Sequence, residues 1–239
     1  YGMNRAIIFD FNGVLADDEA PHVLCFQQAL AEVGLTLTAE EYYGTYKGMD
    51  ERTCATLLLS ARDGRSDGAL LSRIMARKLD LFRRYTFAHK PALFYGVVPF
   101  VKEARSTFRL AVASGGRREQ IEYVLAGTAI EHDFETIVSA EDCPIGKPDP
   151  AVYLLALQRL NDQRSFRSVL TPEDCLVLED SRAGIEAAHA AGMTVVGVAS
   201  TYPQEQLQEA DLVVPSLKDL SPEEAWRSRR RKLMRGNPD

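Results

Sequence analysis

Cysteine is scarce in this 239-residue sequence, and no cysteine pair has the spacing of a zinc site or of a redox motif. The four cysteines stand far apart, at positions 25, 54, 143 and 175. This distribution favours separate thiols in a reducing compartment over a disulfide framework. We therefore expect a cytoplasmic protein without structural disulfides.

Long hydrophobic runs and an excess of positive charge are also lacking. No apolar run approaches the roughly 20 residues that a membrane span needs, and no basic segment followed by an apolar one opens the chain. The 28 Lys and Arg residues are outnumbered by 34 Asp and Glu residues, which gives a net charge of −6. Such a charge favours neither a nucleic-acid nor a membrane partner. We expect a monomer in which any phosphate site is local.

Six short apolar runs have the continuous hydrophobicity of strands that are buried on both faces. They span residues 6–9, 110–113, 136–138, 176–178, 195–198 and 212–214. Segments with helical periodicity lie between several of them, such as Ile121 to Leu125 and Val152 to Leu160. Alternation of strand and helix predicts an α/β fold with a Rossmann-like, doubly wound parallel sheet.

The segment from residue 18 to residue 90 has a different pattern, because it contains helical stripes and no convincing strand. One stripe runs from Val23 to Val33 and ends at Gly34, and two more cover residues 54–61 and 71–85. We predict an all-helical domain over residues 18–90, inserted in a discontinuous α/β core of residues 1–17 and 91–239.

Polar residues follow the predicted strands where the strands end. Asp10 and Asn12 come after the first strand, Ser114-Gly115-Gly116 after the second, a loop with Lys147 after the third, and Glu179-Asp180 after the fourth. Ligands of open α/β sheets bind at the carboxyl ends of the strands. We therefore expect these residues to converge on one rim of the sheet.

The chemistry of this set suits phosphoryl transfer. Asp10, Glu179 and Asp180 are oxygen donors of the kind that Mg²⁺ prefers. Lys147, with Ser114 and the amides of Gly115 and Gly116, could neutralise phosphate oxygens. A carboxylate such as Asp10 could attack phosphorus and form an aspartyl phosphate. Each feature alone is more common as a turn, a helix cap or a solvated charge, but their order favours one site.

Four segments, taken in order, resemble the motifs of the haloacid dehalogenase superfamily, particularly its β-phosphoglucomutase and phosphatase branch. They are DFNGVLADDEAPH, ASGG, GKPDP and LEDSRAGIEAAHAAGM, and the resemblance covers Met3 to about Leu220. It implies a hydrolase of small phosphorylated metabolites with Asp10 as nucleophile and with Ser114 and Lys147 as phosphate ligands. It also implies Mg²⁺ held by Asp10, Glu179, Asp180 and the backbone carbonyl of Asn12.

The resemblance further implies that the helical insertion is a cap domain that closes over the site and selects the substrate. Within it, YKGMDERT is similar to the cap's substrate-specificity segment. Arg52 is therefore a candidate contact for an anionic group of the substrate, with a solvated helix arginine as the alternative. His22 is a second candidate, with a surface or packing role as its alternative.

Asn12 departs from the family pattern, in which an aspartate protonates the leaving group and later activates water. An amide can do neither, and such acid-base catalysis is typically worth ~10² to 10⁴ in rate. The site of a phosphatase that lacks it would suit a good leaving group, or would borrow an acid from Asp17, Glu19 or His22.

Asn12 is also compatible with two functions besides that of a phosphatase. Phosphonate hydrolases of the family use a cap lysine instead, but Lys47 precedes the Gly48-Met49 pair where the family pattern places a lysine after it. The chain could also be a phosphate-ligand binding or regulatory protein, or carry an engineered change of Asp to Asn. We predict a Mg²⁺-dependent phosphatase with atypical acid-base chemistry, in preference to a phosphomutase or a true dehalogenase.

Overall fold

A computed structural model describes residues 4–46, 51–63, 68–163 and 169–227 of the chain. The fold divides into two compact units, one made of Tyr1–Asp17 with Ala92–Asp239 and the other of Asp18–Pro91. Lys47, Gly48 and Met49 lie outside the described residues. All four cysteines are free thiols, of which Cys143 is half-buried and the others are buried.

The first unit is built on a six-stranded parallel sheet with the order β5-β4-β1-β6-β7-β8. These strands are β1 (Ala6–Phe9), β4 (Arg109–Ala113), β5 (Thr136–Val138), β6 (Cys175–Glu179), β7 (Thr194–Val198) and β8 (Leu212–Val214). All six predicted strands are confirmed, with ends that differ by at most one residue. A two-stranded antiparallel ladder of β2 (Ala16–Asp17) and β3 (Ala92–Leu93) was not predicted, because two residues carry no period.

Helices cover both faces of this sheet, which confirms the doubly wound α/β fold. One face packs against α5 (Val97–Ala104), α6 (Arg118–Leu125) and α9 (Pro222–Arg227), and the other against α7 (Ala151–Asp162) and α8 (Arg182–Ala190). Successive β1 side chains alternate between the two cores, as strand geometry requires: Ile7 and Phe9 enter the first, Ala6 and Ile8 the second. Helix α5 was not predicted, because its first residues, Val97 and Val98, are typical of a strand. Pro99 is compatible with the first turn of a helix.

Strand β1 lies where the strand order reverses. From β1 the chain builds β4 and β5 on one side, and then crosses to build β6, β7 and β8 on the other. Phe9 pairs with Val112 of β4 and with Leu178 of β6, and the next amide, that of Asp10, donates to the Leu178 carbonyl at 2.9 Å. This register brings the residues after β1, β4 and β6 to one end of the sheet.

The second unit contains helices, turns and loops but no strand in its described part, in agreement with the prediction. It contains α1 (Glu19–Ala31), a short α2 (Ala39–Glu41) that continues into a π-helical turn (Tyr42–Tyr46), α3 (Glu51–Asp63) and α4 (Gly68–Ala88). Phe26, Leu30, Leu58 and Ile74 are among the buried side chains of its core. Within the described ranges of the whole chain, we find no helix with the length and apolarity that crossing a bilayer requires.

A buried arginine ties β4 to its surroundings at the end of the sheet where the strands begin. Arg109 is only 1% exposed. Its Nη2 and Nε donate to Glu135 Oε2, at 2.6 and 3.0 Å, and Nη2 also donates to the carbonyl of Leu160 in α7. Because a buried guanidinium is costly without its counter-charge, this pair restrains β4, the segment before β5 and α7 together.

Replacement of Glu135 should therefore be strongly destabilising. We expect Glu135→Ala to lower the free energy of unfolding by about 3 kcal/mol, as for other buried ion pairs that lose one partner. Urea unfolding followed by the fluorescence of Trp226, which packs on Phe108 in the same unit, would measure it. Glu122→Ala is the matched control, since Glu122 pairs with Arg118 at 3.4 Å on the surface and should cost less than about 1 kcal/mol. Equal losses would contradict the role of the buried pair.

Candidate active site

The strand ends bring Lys147 between two carboxylates. Its Nζ lies 2.8 Å from Asp10 Oδ1 and 2.6 Å from Glu179 Oε1, and it lies 3.4 Å from the carbonyl oxygen of Ala113. Asp10 follows β1, Glu179 ends β6, and Lys147 comes from the loop before α7. An ammonium has three donors, so all three N–H groups have an acceptor and the side chain is fixed in position.

Charge and burial set the protonation of these three groups. Burial opposes the charged form of Lys147, but the carboxylates of Asp10 and Glu179 hold its pKa well above the ordinary value. Burial would likewise raise the pKa of Glu179, but the charge and hydrogen bond of Lys147 keep that pKa below its usual range. For Asp10, the effect of burial is larger than the opposing effect of the Lys147 charge, and the pKa is raised to about 6. The cluster is therefore a charged ammonium beside a firmly ionised Glu179.

Glu179 is held by four donors. Its Oε1 accepts from Lys147 and from the Tyr153 hydroxyl at 2.9 Å, and its Oε2 accepts from the amide and the hydroxyl of Ser181, at 2.8 and 2.9 Å. A Cβ at Gly184 in α8 would come within 1.7 Å of Glu179 Oε1, so glycine leaves the space that this carboxylate fills. The sequence did not single out Tyr153, because its position in the period of α7 identifies a core residue and nothing more.

Asp180 is the third buried carboxylate of the site. Burial, together with the charges of Glu179 and Asp10, raises its pKa well above the ordinary value. A Cβ at Gly13, whose φ is +76°, would come within 1.9 Å of Asp180 Oδ2. Glycine therefore serves here both for its left-handed backbone and for the close approach of the acid.

The donor set of these acids fits a divalent cation. Ligand oxygens of Asp10, Glu179 and Asp180 lie within 4.8 Å of one another. With all three acids ionised, the single ammonium of Lys147 would leave the cluster with an excess of two negative charges. Mg²⁺ takes carboxylate oxygens as ligands and would compensate this excess. These residues are thus suited to hold the ion that the sequence pattern predicts.

Ser114 and Asn12 lie together at the neighbouring strand end. The Ser114 hydroxyl is buried, lies 3.4 Å from Asn12 Oδ1 and accepts the Gly116 amide at 3.0 Å. The Gly116 amide thus donates to Ser114, whereas the sequence analysis expected it to contact phosphate. Gly115 is exposed. The roles of Ser114, Gly115 and Gly116 as phosphate ligands, and of the Asn12 carbonyl as a metal ligand, stay predictions.

His22 and Arg52 both belong to the helical unit. His22 is half-buried: its ring lies tilted on that of Phe82 with 4.0 Å between ring centroids, Nδ1 lies 2.6 Å from Lys78 Nζ, and Nε2 lies 3.4 Å from Asp18 Oδ2. Because an ammonium can only donate, Nδ1 is the acceptor if Lys78 is the donor of this contact. The burial of Lys78, which is 3% exposed, was not predicted, because charged residues are rarely buried. Arg52 is exposed on α3.

Known proteins resemble this chain over most of its length. Residues 7–198 match the family described as haloacid dehalogenase-like hydrolase. Protein CbbY of Rhodobacter capsulatus is 32% identical over 222 residues, which cover 89% of this chain and 93% of the relative. A phosphorylated carbohydrates phosphatase of Thermotoga maritima is 30% identical over 198 residues, covering 79% and 82%.

A solved structure shares both the fold and part of the sequence. It is CbbY from Rhodobacter sphaeroides, as an Asp-to-Asn mutant in complex with xylulose-(1,5)bisphosphate, with 29% identity and a TM-score of 0.74. The alignment covers 91% of this chain and 96% of the other. With the family match over most of the α/β unit, these similarities lead to one conclusion: the chain belongs to the haloacid dehalogenase-like hydrolases.

Proposed function

We propose that this hydrolase is a Mg²⁺-dependent phosphatase that releases orthophosphate from a small phosphorylated sugar through an aspartyl phosphate on Asp10. The observation that carries the proposal is the buried Lys147 ammonium, 2.8 Å from Asp10 Oδ1, at the switch point of the sheet. Relatives named as a carbohydrate phosphatase and as a protein that binds a sugar bisphosphate support the substrate class. We further propose that residues 18–90 select the substrate, with Arg52 and His22 as candidate contacts.

The reaction follows from the charges of the cluster. A carboxylate oxygen of Asp10 attacks phosphorus, and the bond from phosphorus to the alcohol oxygen breaks as the new bond forms. Lys147 and the Ser114 hydroxyl stabilise the negative charge on the phosphoryl oxygens, and their fixed positions cost no reorganisation. The departing alkoxide takes its proton from water, and a second water hydrolyses the aspartyl phosphate, which releases orthophosphate and restores the Asp10 carboxylate.

Two further parts of the site affect this chemistry: the metal ligands assist it, and Asn12 limits it. Asp10, Glu179 and Asp180 would hold Mg²⁺, which supplies further positive charge beside the phosphoryl oxygens when it is bound. Asn12 has no proton to give to the departing alcohol. We therefore expect slow turnover of a sugar phosphate, which is an alkyl ester, and faster turnover of acyl or aryl phosphates, whose leaving groups need little protonation.

A second candidate is a phosphate-ligand binding protein that does not turn its ligand over. It is supported by the amide of Asn12, whose Oδ1 lies 3.4 Å from the Ser114 hydroxyl and which could help to hold an anion without moving a proton. Such a protein would bind orthophosphate in the presence of Mg²⁺ and release none from an ester. A phosphonate-type hydrolase is a weaker alternative, because Lys47 does not follow the family pattern.

The nucleophile is tested by Asp10→Asn. We expect this variant to reduce Mg²⁺-dependent release of p-nitrophenol from p-nitrophenyl phosphate to the rate of the blank, because an amide cannot form the phosphoryl bond. Asp162→Asn, at the exposed end of α7, is the control and should keep full activity. Activity of Asp10→Asn above the blank would rule out the aspartyl phosphate.

The metal site is tested by heat stability. In EDTA, Asp180→Asn should raise the melting temperature by about 2–4 °C, the effect of roughly 1 kcal/mol in a chain of this size, because it removes an acid whose ionisation is opposed by burial and by the charges of Glu179 and Asp10. Mg²⁺ should stabilise the natural protein, by about 2.7 kcal/mol at 100 times its dissociation constant, and should hardly affect Asp180→Asn. The Asp162→Asn control should behave like the natural protein. An equal Mg²⁺ shift in all three would place the ion elsewhere.

The missing acid is tested by Asn12→Asp. With an alkyl phosphate, kcat/KM should rise by ~10² to 10⁴, because this ratio includes the step in which the alcohol departs. With p-nitrophenyl phosphate the rise should be much smaller, since p-nitrophenolate leaves without a proton. Absence of any gain on the alkyl ester would favour the binding protein over the phosphatase.

A further inference from the structure

Tyr153 differs from the other two residues that donate to Glu179, because Lys147 is charged and Ser181 precedes α8 outside regular structure. It lies in the first turn of α7, is fully buried, and donates its hydroxyl to Glu179 Oε1 at 2.9 Å. Its ring lies 4.9 Å from the Lys147 ammonium, within the range of a cation–π contact. The residue therefore touches both partners of the buried ion pair.

Packing alone does not explain the hydroxyl. A phenylalanine would fill almost the same space in this core, which also contains Ala156, Leu157 and Val177. Burial of a hydroxyl is unfavourable unless it forms a hydrogen bond, and here the acceptor is an ionised carboxylate, which makes the bond strong. The contact with Glu179 is thus the physical reason for tyrosine at this position.

The hydroxyl changes how Lys147 is shared. Glu179 Oε1 accepts from both Tyr153 and Lys147, whereas Asp10 Oδ1 lies only slightly farther from the same ammonium, at 2.8 Å against 2.6 Å. A second donor on Oε1 withdraws negative charge that would otherwise attract the ammonium. Without it, Glu179 would attract Lys147 more strongly, and the ammonium would move away from Asp10.

We propose that Tyr153 is a positioning residue, whose hydroxyl keeps Lys147 shared between Glu179 and Asp10 and so available to a phosphoryl group. The inference rests on the proposed phosphate chemistry of this site, although not on turnover. The Tyr153 hydroxyl acts through Lys147, so its effect on phosphate binding must disappear when the ammonium is absent.

The test uses Tyr153→Phe, which removes the hydroxyl and keeps the ring. Binding of inorganic phosphate in the presence of Mg²⁺, followed by ³¹P NMR line broadening, should weaken about 10- to 100-fold, as is usual when a group that orients a site residue is lost. The kcat/KM for p-nitrophenyl phosphate should fall by a similar factor. Tyr123→Phe, a half-buried tyrosine in α6, is the matched control and should change neither quantity.

A double-mutant cycle separates positioning from a merely structural role. In a Lys147→Gln background, Tyr153→Phe should cause no further loss of phosphate binding, and Lys147→Met serves as a second background without a positive charge if Lys147→Gln does not fold. Equal losses in both backgrounds, or phosphate binding by Tyr153→Phe equal to that of the natural protein, would overturn the inference.

Failure of the proposed function gives a different result. A natural protein that binds phosphate but releases none from esters would refute the phosphatase, while the cycle on phosphate binding would still decide the role of Tyr153. A natural protein that does not bind phosphate with Mg²⁺ would overturn both proposals.

Discussion

The buried contact of Lys147 with Asp10 and Glu179 is the interaction on which the site depends. Three carboxylates at one end of a sheet repel one another, and burial increases the cost. A single ammonium, 2.8 Å from one acid and 2.6 Å from another, offsets only part of it. Burial and the neighbouring carboxylates therefore raise the pKa of Asp10 and of Asp180. A site with this imbalance is suited to bind positive charge, and the stability it loses is recovered when a cation binds.

The fold supplies the order that such a charged cluster requires. Parallel pairing of β1 with β4 and β6 fixes the register of Phe9 against Val112 and Leu178, and hence the place where each strand ends. Glycines at positions 13 and 184 allow the backbone to approach Asp180 and Glu179 within distances that any side chain would block. Glu179 therefore cannot relieve the repulsion by turning away, since four donors hold it.

The sequence predicted the strands and the acids of the site, and it failed where a residue's role depends on its neighbours. Continuous apolar runs identified all six strands, because strands that are buried on both faces have few alternatives. Residues after strands identified Asp10, Lys147 and Glu179. The periods of α4 and α7 contain Lys78 and Tyr153, but a helical period does not show what a buried ammonium or hydroxyl contacts. The short ladder of β2 and β3 has too few residues for any pattern.

Asn12 changes the chemical character of the site without removing its anion-binding groups. Its Oδ1 faces the Ser114 hydroxyl, as a carboxylate oxygen could, but the amide adds no negative charge to a cluster that already has three carboxylates. It also carries two N–H donors, which a carboxylate lacks. An anion beside Ser114 would therefore meet one more donor and one fewer repulsive charge, whereas a departing alkoxide would find no proton. Under the proposed function we therefore expect the amide to favour the binding of phosphate and to disfavour the expulsion of a poor leaving group, which selects substrates in which the bond to phosphorus is already weak.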